Sequence, residues 1–220
     1  MNPSALSAAA VLVAYLVGAV PFGYLLAKHL RGIDIRTVGS GNIGATNVGR
    51  VLGFRYFWLV FAFDLAKGLV PTWGFPRVVA ALTGQPAPPE LAVLVALASI
   101  LGHNYPVYLK FKGGKGVATS LGAVLALDTV ASLAAAGGFL ACLAVSRYVS
   151  LSSLAGGGVF AAVYFSRVDR PWARDHRALS VLTVGLLAML VVRHRKNLAR
   201  IWAGTEPKVG RGEKTEGDAR

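Results

Sequence analysis

Seven apolar runs, separated by short polar stretches, organise the chain: residues 4–27, 56–75, 91–109, 117–127, 129–146, 151–166 and 178–192. Few charges interrupt them, and none shows the strict alternation of a half-buried strand. The pattern predicts an all-α integral membrane protein with seven transmembrane helices. The fourth, sixth and seventh runs are shorter than the ~20 residues a perpendicular span needs. Short spans are accommodated by little tilt or local bilayer thinning, and Gly156-Gly-Gly158 permits close helix packing. The reading is one membrane domain over 1–204, followed by a polar, mobile C-terminal tail over 205–220.

Composition narrows the class. Hydrophobic residues make up 55% of the 220 positions and charged residues only 15%, yet the net charge is +13. A soluble nucleic-acid-binding domain would share the positive charge but not the long uncharged runs, so no nucleic-acid partner is expected. The single cysteine, Cys142, lies in an apolar run and packs as a small hydrophobe. The N-terminus lacks the basic n-region of a cleavable signal, and Lys28 and Arg31 follow the first run directly. These features place the N-terminus outside and the C-terminus in the cytoplasm. On that topology 17 cations fall inside and 5 outside (Arg77, Arg167, Arg170, Arg174, Arg177), in line with the positive-inside rule. The basic 167–177 loop is the blemish.

Three polar clusters then face the same side. The first, Gly39 to Arg50, combines glycines at 39, 41 and 44 with Ser40, Asn42, Thr46 and Asn47, and ends on Arg50. Glycine lets backbone N–H groups approach an anion, small polar side chains hydrogen-bond it, and an arginine fork grips phosphate. The bland alternative is an interhelical turn with a snorkelling arginine. The second, around His103 and then Lys110-Phe-Lys-Gly-Gly-Lys-Gly116, opens a helix at Val117, whose free N–H groups and dipole suit an anion. Positive-inside anchoring explains Lys110, Lys112 and Lys115 but not the interleaved Gly113, Gly114 and Gly116. His103 reads more simply as a packing or hydrogen-bonding group at a helix end. The third, Arg193-His-Arg-Lys-Asn197-Leu-Ala-Arg200, ends the last run; a topological anchor is the simpler reading of its cations, but His194 and Asn197 share a helical face and contribute little to anchoring. Inside the second run, Asp64 and Lys67 lie one turn apart and can pair within the membrane, as a structural brace or as a direct participant.

Three motif matches fail on context. Gly39-x-Gly41-x-x-Gly44 fits the dinucleotide fingerprint, but no βαβ unit surrounds it. Lys115 is followed by Gly116 rather than Ser or Thr, so the second cluster is not a Walker A loop. His29-x4-Asp34 matches an acyl-CoA acyltransferase pair that stands alone here. No cofactor and no metal are expected.

Taken in order, Ser40-Gly-Asn-Ile-Gly-Ala-Thr-Asn47 with Arg50, Asp64-Leu-Ala-Lys-Gly68, Gly102-His-Asn-Tyr-Pro106 into Lys110 to Thr119, and Arg193 to Asn197 resemble the bacterial membrane acyl-phosphate:glycerol-3-phosphate acyltransferases. The resemblance covers nearly the whole chain; Ile43 departs from the proline common at that position. It implies a seven-helix fold in the bacterial inner (plasma) membrane with a cytoplasmic active site. It also implies transfer of a fatty acyl group from acyl phosphate to the 1-hydroxyl of glycerol 3-phosphate, giving lysophosphatidic acid and inorganic phosphate for phospholipid synthesis. By the same resemblance Ser40, Arg50, Lys115, His194 and Asn197 match residues of catalysis and substrate binding. Gly113, Gly114 and Gly116 match phosphate-binding glycines, and Glu206 matches an acidic residue of the third motif. The implied partners are the two substrates, the lipid bilayer and, transiently, the enzyme that makes acyl phosphate and the next acyltransferase.

On this reading Arg50 and Lys115 neutralise phosphate, and Ser40 and Asn197 orient the acceptor. The donor's own phosphate, in preference to His194, takes the hydroxyl proton. A ping-pong route through acyl-Ser40 is the minor alternative. A transporter for a phosphorylated solute is the rival of another class, but it would line a transmembrane path with ionisable residues.

Overall fold

The computed structural model describes residues 2–210. Nine α-helices build the described residues, with no strand among them. Asn2 caps the first helix, α1 (Pro3–Gly18), by accepting from the Ser4 and Ala5 amides, which satisfies donors left over at a helix start. The 4–27 run is not one helix. Proline supplies no N–H and its ring crowds the preceding turn, so the chain breaks at Ala19–Pro21 and resumes as α2 (Phe22–Arg31). The carbonyl of Val20 at this break accepts Lys67 Nζ at 2.9 Å.

The stretch expected as a plain loop after Arg31 contains a helix, α3 (Ala45–Leu52). It leads through Gly53 into α4 (Phe54–Thr83), longer than the 56–75 run and continuous through Pro71 and Pro76. Helix α5 (Leu91–Asn104) stops short of residue 109 because Pro106 cannot continue it, and a single 3-10 turn over Val107–Leu109 follows. Helices α6 (Val117–Leu127) and α7 (Thr129–Ser146) match their runs, and Asp128 caps α7 through the Ala131 amide. Helix α8 (Val149–Arg167) is slightly longer than its run. Helix α9 (Arg174–Trp202) far exceeds 178–192 and carries the third polar cluster on its final turns.

Close backbone contact sets the packing. Glycines at 18 and 102 let α1 and α5 touch, since a Cβ at either would strike the other helix's backbone. Gly68 and Gly122 do the same for α4 and the short α6. Helices α7 and α8 form a hairpin beside this group, joined around Phe160 and Tyr164. Large apolar side chains such as Leu12, Trp58, Leu140 and Val145 face outward, as a lipid-facing surface requires. Five helical stretches are long and apolar enough to cross a membrane: Pro3–Arg31, Leu91–Leu109, Thr129–Ser146, Val149–Arg167 and Arg174–Trp202. Of the expected mobile tail, residues 211–220 lie outside the described residues, while Thr205 to Gly210 are tied to the helices, with Glu206 buried and the Val209 carbonyl accepting from Arg147 Nε at 3.0 Å.

Candidate active site

Each polar cluster is shaped by its own backbone before it meets the others. In the first, Gly41 takes a left-handed φ of 69° that other residues resist. Asn47, almost fully buried, is the hub: its Nδ2 donates to the carbonyls of Ile35, Val38 and Asn42, and its Oδ1 accepts from the Ser40 amide at 2.7 Å. Asn42 Oδ1 accepts from Gly44 N at 2.8 Å, which sets the entry to α3. Ser40 is thereby held at the surface.

The second cluster turns sharply between the 3-10 turn and α6. Gly116 sits at the helix N-cap with φ 79°, pressed on the Asn104 side chain. Gly114 lies against the His103 ring and donates its N–H to the His103 carbonyl at 3.1 Å. On the other side the Arg193 guanidinium reaches the carbonyls of Asn104, Gly113 and Gly114, and stacks over Tyr105.

The third cluster brings the parts together. A cleft of about 320 Å³ is lined by Ser40, Gly41 and Asn42, by Gly113 and Lys115, and by the α9 face that carries Arg193, Arg195, Lys196, Asn197 and Arg200. Five of these residues are cations and none is a carboxylate. Lys115 Nζ donates to Asn197 Oδ1 at 2.6 Å. Asn197 Nδ2 donates in turn to Glu206 Oε1 at 2.6 Å, which fixes the amide's orientation. The same carboxylate accepts from Ser150 Oγ at 2.7 Å and from Arg200 Nε at 2.7 Å. A neutral amide therefore separates ammonium from carboxylate, and the cleft keeps its positive potential.

The electrostatics follow from that arrangement. Burial pushes the Lys115 ammonium down to about 8; Arg200, Arg50 and Arg193 push the same way, and Glu206 opposes them. Burial would raise the Glu206 carboxyl, but hydrogen bonds from Asn197, Ser150 and Arg200 outweigh it and hold the group below its usual range. Glu206 stays ionised and braces Asn197 from behind.

The remaining expected site residues fall at varying distances from the cleft. Arg50 projects from α3, and its Nη2 donates to the Pro207 carbonyl at 3.3 Å. His194 is buried, with Nδ1 2.9 Å from the Leu190 carbonyl, and does not line the cleft. Gly44, Thr46 and Asn47 lie outside the cleft lining, and Lys110 and Lys112 are exposed and also outside it. His103 faces inward: its Nδ1 is 3.5 Å from Asp64 Oδ1, and Asp64 pairs with Lys67 at 2.7 Å, all three side chains nearly inaccessible. Asp34, the apparent partner of His29, is held by Arg36 at 2.6 Å. From the sequence, Arg193, Arg195, Lys196 and Arg200 stand only as a topological anchor, and Ser150 has no role. For the first four, the signal was the basic density after the last apolar run.

Comparison with known proteins matches this architecture. Residues 8–204 fit the family profile described as glycerol-3-phosphate acyltransferase. A glycerol-3-phosphate acyltransferase of Myxococcus xanthus is 47% identical over 201 residues, covering 91% of this chain and 98% of that relative. One from Crocosphaera subtropica is 40% identical over 223 residues, covering 96% of this chain and 98% of that relative. A crystal structure of PlsY (YgiH), an integral membrane glycerol 3-phosphate acyltransferase in its glycerol 3-phosphate form, superposes with a TM-score of 0.80. It is 37% identical and covers 93% of this chain and 96% of that one. The lysophosphatidic acid form of PlsY superposes with a TM-score of 0.77 at 36% identity, covering 93% of this chain and 95% of that one. The chain belongs to the glycerol-3-phosphate acyltransferase family and is an integral membrane acyltransferase.

Proposed function

We propose that this protein transfers a fatty acyl group from acyl phosphate to the 1-hydroxyl of glycerol 3-phosphate, releasing lysophosphatidic acid and inorganic phosphate. The acylation of glycerol 3-phosphate to lysophosphatidic acid rests on the family and on relatives solved in the two corresponding forms. The observation that carries the site assignment is the cleft itself, where five cations converge without a carboxylate in the lining. Such a lining suits two phosphorylated reactants, whose mutual repulsion it offsets.

In this reading the acceptor hydroxyl attacks the acyl carbonyl carbon directly. The C–O bond to the phosphate breaks, and the hydroxyl proton leaves with that phosphate. A mixed anhydride has a good leaving group, so alignment and charge neutralisation suffice. Lys115 and the α9 cations neutralise phosphate, Arg50 closes the site from α3, and Ser40 and Asn197 orient glycerol 3-phosphate. His194 donates from Nδ1 to the Leu190 carbonyl, which leaves Nε2 as its acceptor nitrogen, but its burial outside the cleft lining favours the donor phosphate as proton acceptor.

Purified protein in liposomes, given acyl phosphate or acyl-CoA with labelled glycerol 3-phosphate, tests the donor. Product from acyl phosphate alone is expected, and product from acyl-CoA alone overturns the assignment. Trapping an acyl-enzyme on Ser40 without acceptor overturns direct transfer. Arg50→Ala is expected to abolish turnover while the protein still inserts; near-normal rates remove Arg50 from the site.

The same reading places seven spans in the bacterial inner membrane, with the N-terminus outside and the cleft facing the cytoplasm. Helices α4 and α6 complete the five long apolar stretches, and the cation bias supports the orientation. Donor and product are lipids, which fits passage between this site, an acyl-phosphate-forming enzyme and the next acyltransferase along the bilayer. Labelling of cysteines introduced at 40–50 and 110–116 in a Cys142→Ala background should reach both segments from the cytoplasmic face only.

A further inference from the structure

The buried cluster formed by Asp64, Lys67 and His103 touches no cleft surface, yet it ends directly beneath the glycine turn that carries Lys115. Lys67 Nζ bridges Asp64 at 2.7 Å and the Val20 carbonyl at 2.9 Å, so the α1–α2 break and α4 are locked together. Asp64 then faces the His103 ring on α5 at 3.5 Å. The opposite edge of that ring, Nε2, is where a Cβ on Gly114 would collide, and the His103 carbonyl accepts the Gly114 N–H at 3.1 Å. From the cleft side, Arg193 draws on the carbonyls of Gly113 and Gly114. The turn is thus clamped between a guanidinium above and an imidazole below. The side chains of Asp64, Lys67 and His103 are 3%, 2% and 4% exposed, so no solvent layer cushions the contact.

We propose that His103, aimed by the Asp64–Lys67 pair, is a positioning residue that sets the height of the Gly113–Lys115 turn and so delivers Lys115 to the substrate phosphate. The cluster acts through the backbone of the turn and contacts neither reactant. Gly114 is required because only hydrogen fits between the turn and the imidazole, a constraint separate from any need for N–H groups to approach an anion. Loss of the ring lets the turn sink and withdraws Lys115 from Asn197, which weakens ground-state phosphate binding more than the acyl-transfer step.

The proposal rests on the acyl-transfer reading, which wild-type turnover tests by itself; the positioning role is read from the coupling between two variants. In the full-length protein, Gly114→Ala is expected to raise the KM of at least one phosphorylated substrate tenfold or more, with kcat within threefold. His103→Ala should shift KM in the same direction, whereas His103→Gln, which refills the space, stays within threefold of wild type. In the double variant the added methyl occupies the vacated ring position, so KM should exceed that of His103→Ala by less than threefold. Independent sites would instead multiply. Multiplicative effects, or an unchanged KM in Gly114→Ala, overturn the proposal. Should His103→Ala not accumulate in the membrane, His103→Asn provides the smaller side chain for the same comparison. Inorganic phosphate binding by calorimetry reads the same coupling without turnover.

Discussion

Two groups of charged side chains sit within a few turns of each other and obey opposite rules. In the interior, Asp64 and Lys67 pair at 2.7 Å, and Lys67 also satisfies a backbone carbonyl exposed by the break at Pro21. In the cleft, Lys115, Arg193, Arg195, Lys196 and Arg200 converge while Glu206 is kept behind the Asn197 amide. The interior group is neutral as a unit because an isolated charge there would cost several kcal/mol. The cleft tolerates like charges because water screens them until an anion arrives. Charge that is compensated holds helices in place, and charge left in excess leaves the cleft open to an anion.

The sharpest way to break this contrast is to unbalance the interior. Asp64→Ala strands Lys67 and is expected to destabilise the fold by about 3–5 kcal/mol, seen as a large drop in melting temperature in detergent. Replacing both partners, Asp64→Leu with Lys67→Met, should recover much of that loss, because the desolvation penalty vanishes with the pair. A double variant as unstable as the single would show that the pair does more than neutralise itself. In the cleft the hierarchy reverses. Lys115→Ala is expected to lower kcat/KM by ~100-fold or more, the usual scale for one charge-stabilising donor, with no fall in melting temperature at neutral pH, because the buried ammonium opposes folding there.

pH separates the two behaviours within a single residue. With its folded pKa near 8, Lys115 loses its charge as pH rises through that value, so kcat/KM should fall on the alkaline side. Stability moves the other way. Its folded pKa lies below the ordinary 10.5, so the unfolded chain holds more protons between about 8 and 10.5, and this residue's contribution stabilises the fold increasingly across that window. Comparing denaturation of wild type and Lys115→Met over that range isolates the contribution. The smallest effect belongs to the rim. Arg195 and Lys196 are exposed, and each alanine variant should raise KM by roughly two- to fivefold, as exposed ion pairs contribute about 0.2–1 kcal/mol; added salt should shrink the difference from wild type.

The parts of the fold that were legible in the sequence share one property: they follow from local pattern. Apolar runs gave α6 and α7 to the residue, and the three-residue spacing of His194 and Asn197 placed both on α9. Pro21 was a readable break inside the first run, overridden by the uninterrupted hydrophobicity around it. The length of α9 was obscured because its last turns are basic, whereas the helix persists to Trp202. Within the site, Asn47 looked like a substrate ligand because nothing in its neighbours reveals bonds to carbonyls as far back as Ile35. Ser150 carried no local signal, since its partner Glu206 lies 56 positions away.

Residue type and order therefore determined that the chain is helical and membrane-buried, and that its basic, glycine-rich stretches suit phosphate, because hydrophobic periodicity and charge act over a few residues. Tertiary structure alone decided which cations share the cleft, that Asn197 stands between Lys115 and Glu206, and that His103 turns inward to the Asp64–Lys67 pair. Those outcomes depend on packing between helices distant in sequence, where close approach at glycine and the cost of burying charge leave few arrangements open.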